Sequence, residues 1–286
     1  MVALLRQGRR PNHIYAELLE ELGSAMSLLE TELSEDDGQR ALFSDADPAP
    51  LLEQATADIK RWHSDGMGLV TVLDGSYPDN LRAVHDRPAL LFVAGNLQAR
   101  DERSVAIIGS RRASEDALAR ARVLATDLAH RGYTIISGLA AGIDTAAHAA
   151  SLAADGRTIA VIGTGLAHSY PPENAGLQRE IASRGAVVSQ FWPDSGPNKA
   201  SFPQRNATMS GLASATVIIE ASPRSGARTQ ARHALAHGRP VFVARELLEQ
   251  TWTQRLVARP GVSAFSHAHE LIERLEALRE RETLTA

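Results

Sequence analysis

The sequence has no cysteine, which excludes disulfide cross-links, thiolate metal sites and a thiol nucleophile together. Aromatic residues make up only 5%, so a ring in a polar segment stands out. Lysine is scarcer still: Lys60 and Lys199 are the only two, and arginine supplies the rest of the 30 Lys and Arg residues. No stretch reaches the roughly 18 uninterrupted apolar residues of a membrane span. The start "MVALLRQGRRPN" places its apolar run before its basic residues, the reverse of a secretory signal. A cytoplasmic protein without a membrane partner is the expectation.

What is present bounds the rest. A chain of 286 residues, 44% apolar and 22% charged, can bury one large core with a smaller appendage. The net charge of −4 is unevenly spread. Residues 1–60 hold 5 Lys/Arg against 12 Asp/Glu, whereas residues 61–286 hold 25 against 22. A basic cleft can bind phosphates on an acidic protein, so the total does not exclude nucleic acid.

Residues 14–33, "IYAELLEELGSAMSLLETEL", read as two short helices broken at Gly23-Ser24. An acidic, turn-rich linker, "SEDDGQRALFSDADPAP", follows, and then a helix at "LLEQATADIKRWHSDG". From Ser104 onward short β-branched runs alternate with helical stretches. The runs are "VAIIGS", "YTIISG", "RTIAVIG", "GAVVSQ", "ATVIIEA" and "RPVFVA", with helices expected over 114–131, 144–155, 173–184 and 226–237. This alternation predicts an α/β fold with a doubly wound, mostly parallel sheet and a small N-terminal helical region. Residues 1–60 are expected to form the helical region and linker, and residues 61–286 the sheet domain. Ligands are expected at the carboxyl ends of the strands.

Several strand ends carry unusual punctuation. In "VAIIGSRRAS", Gly109, Ser110 and Arg111 follow a strand, and Ser114 is placed to cap the next helix, whose free N–H groups favour a phosphate. A tight turn with a solvated arginine explains the same residues. In "SGLAAGIDTAAH", Asp144 and His148 lie one helical turn apart, a spacing that serves acid–base chemistry or simply a cap and a packed ring. No nucleophile accompanies them. In "GTGLAHSYPPEN", Tyr170-Pro171-Pro172 forms a rigid step into a helix, and His168 and Tyr170 are explained by ligand contact or by turn architecture. The connecting segment "NKASFPQRNATMSG" gathers Lys199, Phe202, Arg205 and Asn206. Charge for phosphates and a ring for unstacked bases are what single-stranded nucleic acid requires, although a buried Phe anchoring a loop explains the ring as well. In "EASPRSGARTQARHA", Ser225 and Gly226 open a helix near Arg224 and Arg228, and Glu220 ends the strand before them.

In this order, "VAIIGSR", "SGLAAGIDTAAH", "TIAVIGTGLAHSYPPEN", "SFPQRN" and "EASPRSGARTQA" resemble the DNA-processing protein A family (DprA, also called Smf). The resemblance covers roughly residues 61–245. It implies an extended Rossmann-like fold that binds single-stranded DNA, protects it and helps load the RecA recombinase during natural transformation. It also implies a homodimer, and it implies no catalytic reaction, cofactor or metal. The family's pocket maps onto Arg111, Lys199 and Phe202, with Gly109, Ser110, Arg205 and Asn206 matching the same motifs. Ser225 and Gly226 complete the DNA-binding set expected here.

The sequence departs from the family pattern in three places. Ala207 stands where a further arginine is usual, and Arg228 where an apolar residue is common. The final charged helix, "HAHELIERLEALRERE", leaves no room for the winged-helix domain of many members, so a short form is expected. The alternative is a nucleotide sensor or nucleoside-monophosphate phosphoribohydrolase of the same superfamily, with phage defence a possible setting. The phosphoribohydrolases carry a P-G-G-x-G-T-x-x-E run, and "SPRSGART" offers no such motif.

Overall fold

A computed structural model describes residues 1–37, 47–223 and 225–285. Four helices come first: α1 (Val2–Gln7), α2 (Asn12–Leu22), α3 (Ala25–Asp37) and α4 (Ala49–Ser64). The break between α2 and α3 falls at Gly23-Ser24, as the sequence predicts. Most of the acidic linker, residues 38–46, lies outside the described residues. Then follow β1 (Met67–Thr71), α5 (Asp79–Arg82) and β2 (Leu90–Gly95).

The alternating half runs β3 (Ser104–Ile108), α6 (Glu115–His130), β4 (Thr134–Ser137), α7 (Ile143–Ala153), β5 (Thr158–Val161), α8 (Ala175–Arg184) and β6 (Ala186–Ser189). It continues through α9 (Ser201–Leu212), β7 (Ala215–Ile218), α10 (Ala227–Ala236), β8 (Val241–Ala244), α11 (Thr251–Val257), β9 (Val262–Phe265) and α12 (Ala268–Thr285).

Among the described residues, nine strands form one sheet in the order β1-β2-β6-β5-β4-β3-β7-β8-β9. The pairings among β3 to β9 are all parallel, and only β1 with β2 and β2 with β6 run antiparallel. The chain adds strands outward from β3 to β6, then returns to place β7 on the other side of β3. The β3–β7 pair is therefore the switch point, where neighbouring loops diverge and leave a crevice. The doubly wound α/β expectation is borne out. The sequence reading assigned six of the nine strands and left β1, β2 and β9 unassigned. β1 has no fully buried residue and β9 buries only its two ends, which leaves their sequence without a clean core signature.

Period-two alternation divides the strand residues between two cores. On β3, Val105 and Ile107 join the cluster under α6, α7 and α12, while Ala106 and Ile108 join the cluster on the other face. α6 shows why such segments become helices. Ser114 Oγ accepts from Ala117 N at 3.2 Å, Glu115 and Asp116 favour the positive helix start, and Ala117, Ala121, Leu124, Ala125 and Leu128 form one buried stripe. The second cluster also takes Leu4, Tyr15, Leu19 and Trp62 from the first four helices.

One reading needs correction. "NKASFPQRNATMSG" reads in the sequence as a connecting segment, but Ser201–Leu212 is the continuous helix α9. Phe202-Pro203 suggests an extended corner because proline interrupts helix interiors. Pro203, however, is the third residue of α9, where the first N–H groups have no intrahelical acceptor anyway. Only the lead-in through Ala200 is loop. From Arg205 to Leu212 every residue is buried.

Candidate nucleic-acid interface

The crevice at the β3–β7 switch point opens into a groove of about 610 Å³. Its floor is the turn after β3, where Gly109 and Ser110 are half-buried and Arg111 and Arg112 are exposed. Its far side is the start of α10, with Ser225 and Gly226. Between them lie Phe202, Arg205 and Asn206 from α9. Eight of the nine residues expected at the site therefore line one groove. Lys199 is the exception: it is exposed on the approach to α9, outside that lining. There Asn198 Oδ1 accepts from Ala200 N at 2.9 Å, and Ser201 Oγ donates to Gly163 O at 2.5 Å, which pins the helix start. Arg224 lies outside the described residues.

A cation and two rings make one wall. The Arg111 guanidinium stands 5.4 Å from the centre of the Phe202 ring, and the Tyr170 ring lies 5.7 Å from Phe202 at 46°. Arg111, Tyr170 and Phe202 also enclose a smaller recess of about 70 Å³ beside the groove. Gly163 permits this arrangement, because a Cβ there would come within 2.8 Å of Phe202 Cδ1. Tyr170, still open to two explanations at the sequence level, thus reaches the site through the turn that follows β5.

Arg205 plays a different part from Arg111. It is 6% exposed, and its Nη1 donates to Gly138 O at 2.5 Å and to Val161 O at 2.7 Å. Its Nε donates to Asn206 Oδ1 at 3.0 Å. A Cβ on Gly138 would sit 2.2 Å from that guanidinium, so glycine makes the space for it. The planar fork therefore joins the loop after β4 to the end of β5 instead of standing open. Beneath it Asp144 Oδ2 accepts from Gly138 N at 3.1 Å and Ala140 N at 3.3 Å. Burial raises the Asp144 pKa, opposed by the charge of Arg205 and these N–H bonds. Burial lowers the Arg205 pKa; Asp144 opposes that, and the nearby charge of Arg111 adds to it. Arg111, Arg112 and Arg205 outnumber Asp144 in the lining, leaving the groove positive and receptive to an anion.

The candidate acid–base groups are held elsewhere. His148 is buried with Nδ1 2.7 Å from Thr158 Oγ1, and burial pushes its pKa down to about 3. Asp144 lies inside α7 and bonds the preceding turn; the residue capping that helix is Gly142. Glu220 accepts from Ser114 Oγ at 2.7 Å and from Ser114 N at 3.2 Å. A resident carboxylate thus faces the start of α6, where the sequence suggested a phosphate. The His168 ring contacts Asp194 O at 3.1 Å and is exposed.

The lining also includes Arg112 and Gln230, which the sequence motifs do not single out. Arg112 extends the cationic floor, and the buried Gln230 amide has no hydrogen-bond partner among the described residues on either side-chain atom. Arg112 was adjacent to a recognised motif, whereas nothing local distinguishes Gln230. Among the described residues, one group has metal-ligand geometry: His85, Asp86 and His237. His237 follows the last residue of α10, at the opposite end of that helix from the groove, and its Nε2 lies 2.7 Å from Asp86 Oδ1.

The sequence model of the family described as DNA recombination-mediator protein A matches residues 68–276. Protein Smf of Synechocystis sp. is 39% identical over 173 residues, 59% of this chain and 44% of that protein. DNA processing protein DprA of Streptococcus pneumoniae is 41% identical over 172 residues, 60% of this chain and 61% of that protein. The matched stretch is thus under two thirds of either relative's own length. Among solved structures, that of DNA processing protein A from Streptococcus pneumoniae superposes with a TM-score of 0.74 at 30% identity, covering 95% of each chain. A structure describing the single-stranded DNA binding mode of DNA processing protein A from Helicobacter pylori gives a TM-score of 0.66 at 28% identity. It covers 74% of this chain and 96% of its own.

Proposed function

The chain belongs to the DNA recombination-mediator protein A family, and from that premise we propose that its switch-point groove binds single-stranded DNA. The observation that carries the reading is the Arg111–Phe202 pair at 5.4 Å, backed by Tyr170. A guanidinium suits a phosphate, while the rings offer faces to unstacked bases that a duplex keeps covered. The Helicobacter pylori protein described as binding single-stranded DNA supports the same ligand class.

In this proposal Arg111 and Phe202 touch the strand, with Gly109, Ser110, Ser225 and Gly226 letting the backbone come close. Arg205 and Asn206 support the wall, and Lys199 adds charge at the approach. The role is binding rather than catalysis: Glu220 is engaged by Ser114, and His148 is sealed in the core. Protection of incoming strands, RecA loading in natural transformation, a homodimer and a cytoplasmic setting complete the proposal. So does its division into residues 1–60 and 61–286. Among the described residues, no helix is long and apolar enough to cross a membrane.

The test is a fluorescence-anisotropy titration with oligo-dT and with duplex of the same length. The single strand is expected to bind more tightly, with affinity falling as salt rises. The double variant Arg111→Ala/Lys199→Ala should lose most of that affinity and keep its fold, since both side chains are exposed. Unchanged affinity in that variant would falsify the pocket assignment. Release of free base from nucleoside monophosphates, abolished by Glu220→Gln, would instead favour the phosphoribohydrolase reading.

A further inference from the structure

Next to the main groove, α10 and α11 enclose a second groove of about 430 Å³. Arg228 and Arg232 enter it from α10, one helical turn apart and so about 6 Å along the axis. Arg255 of α11 and Arg259 just beyond it enter from the other side. All four are exposed. The lining contains no Asp or Glu, and among the described residues none of the four forms an ion pair. Elsewhere on the surface Arg82, Arg103, Arg120 and Arg184 each have a carboxylate. Four like charges in one concave strip repel each other, so an anion that enters relieves a strain already present.

Two further observations point to which anion. The half-buried Trp252 ring lies at the groove wall, with the Arg228 guanidinium 5.8 Å from its centre, repeating the cation-and-ring pairing of Arg111 and Phe202. Ser225 lines both grooves, and its Oγ is buried without a hydrogen-bond partner among the described residues, so a donor waits at their junction.

We propose that this groove is a second binding site for single-stranded DNA, taking the sugar-phosphate backbone of the strand as it leaves the main groove at Ser225. Arginine forks grip successive phosphates and Trp252 offers a base a stacking face. The proposal rests on the reading of the main groove, and it explains why Arg228 stands where the family pattern favours an apolar residue. An apolar side chain there would remove one of the four charges.

The test compares oligo-dT of about 6 nucleotides, enough for the main groove, with oligo-dT of about 20, long enough to continue past it. Wild-type protein should bind the longer strand more tightly than the shorter. The double variant Arg255→Glu/Arg259→Glu should lose at least about tenfold in affinity for the long strand. Its salt slope should flatten by about 1.4, or about 0.7 for each phosphate contact. Short-strand affinity should not change, which also verifies the fold of the variant. Tryptophan emission should respond to the long strand alone, and Trp252→Leu should abolish that response.

Equal wild-type affinities for the two lengths, or a double variant indistinguishable from wild type on the long strand, would overturn the second site and leave the main groove standing. Failure of wild-type protein to bind either strand would overturn both. Binding of poly-glutamate that the double variant loses, with no length effect on DNA, would assign the groove to an acidic protein partner and reject the proposal.

Discussion

The two ends of the parallel strands use the same residue, arginine, in opposite ways. At the amino ends, Arg157 lays Nε and Nη2 on the two oxygens of Asp101 at 2.5 and 2.8 Å, and Asp101 also accepts from Thr134 Oγ1. Arg103, just before β3, pairs with Glu276 at 2.6 Å and sits 4.4 Å from the centre of the Tyr133 ring. At the carboxyl ends, Arg111 and Lys199 have no carboxylate partner among the described residues, and the four arginines between α10 and α11 have none either. Both ends are rich in charge, so charge alone does not mark a binding surface. A guanidinium with its carboxylate in place holds loops together; one that is exposed and unpaired keeps its hydrogen-bonding capacity for a ligand. Arg205 is the intermediate case, buried in the wall of the groove and opposite Asp144.

Four measurements would break this contrast or sharpen it. The largest effect is expected from Asp101→Ala, which strands the buried Arg157 guanidinium. Urea melts should show a loss of about 3–5 kcal/mol, while the folded protein retains its affinity for oligo-dT. Lost binding with unchanged stability would reverse the assignment of the two ends. Next comes Phe202→Ala, expected to weaken oligo-dT binding by about 1–3 kcal/mol through the lost stacking face. A variant that binds as well as wild type would remove the ring from the site.

The third measurement follows acid titration of the buried half. His148 has a folded pKa near 3 because burial disfavours its charged form, against roughly 6.5 in the unfolded chain. Its folded pKa is depressed, so the stability it contributes is complete above pH 6.5. That contribution is lost as pH falls from there toward 3, by about 1.4 kcal/mol per pH unit. His148→Gln should flatten this slope in urea melts between pH 6 and 4, and a slope unaffected by the substitution would count against the assignment. The smallest effect is expected from Lys199→Ala. At the approach to the groove it should flatten the salt slope of oligo-dT binding by about 0.7 and leave stability within about 0.5 kcal/mol.

How much of this was legible in the sequence depended on whether the signal was local. β3, β4, β5 and β7 announce themselves as β-branched runs closed by glycine or a small residue, and the switch-point crevice follows from their order. α9 did not announce itself, because Phe202-Pro203 resembles a corner unless the helix is known to start at Ser201. The site's motifs were legible as motifs, and Arg111 is where its turn suggested. The difference between Arg111 and Arg205 was not. Both are arginines beside polar residues, and only the loop after β4 and the end of β5, over 60 and 40 positions upstream of Arg205, decide that Arg205 is enclosed. The Arg228 departure was visible as an oddity, but its neighbours Arg255 and Arg259 become relevant only when α11 folds back beside α10.

The burial of α9 also has a mechanical meaning. Phe202 is the second residue of a helix whose remaining length, from Arg205 to Leu212, is buried beside the sheet. A ring on a flexible loop would yield when a bound strand is pulled. Tension reaching Phe202 instead runs along the helix axis into the interior, where motion requires many packed contacts to give way together. The grip is expected to be brittle rather than compliant. Under an increasing load in an optical trap, the strand should detach in one abrupt event, and gradual extension before release would count against this anchoring.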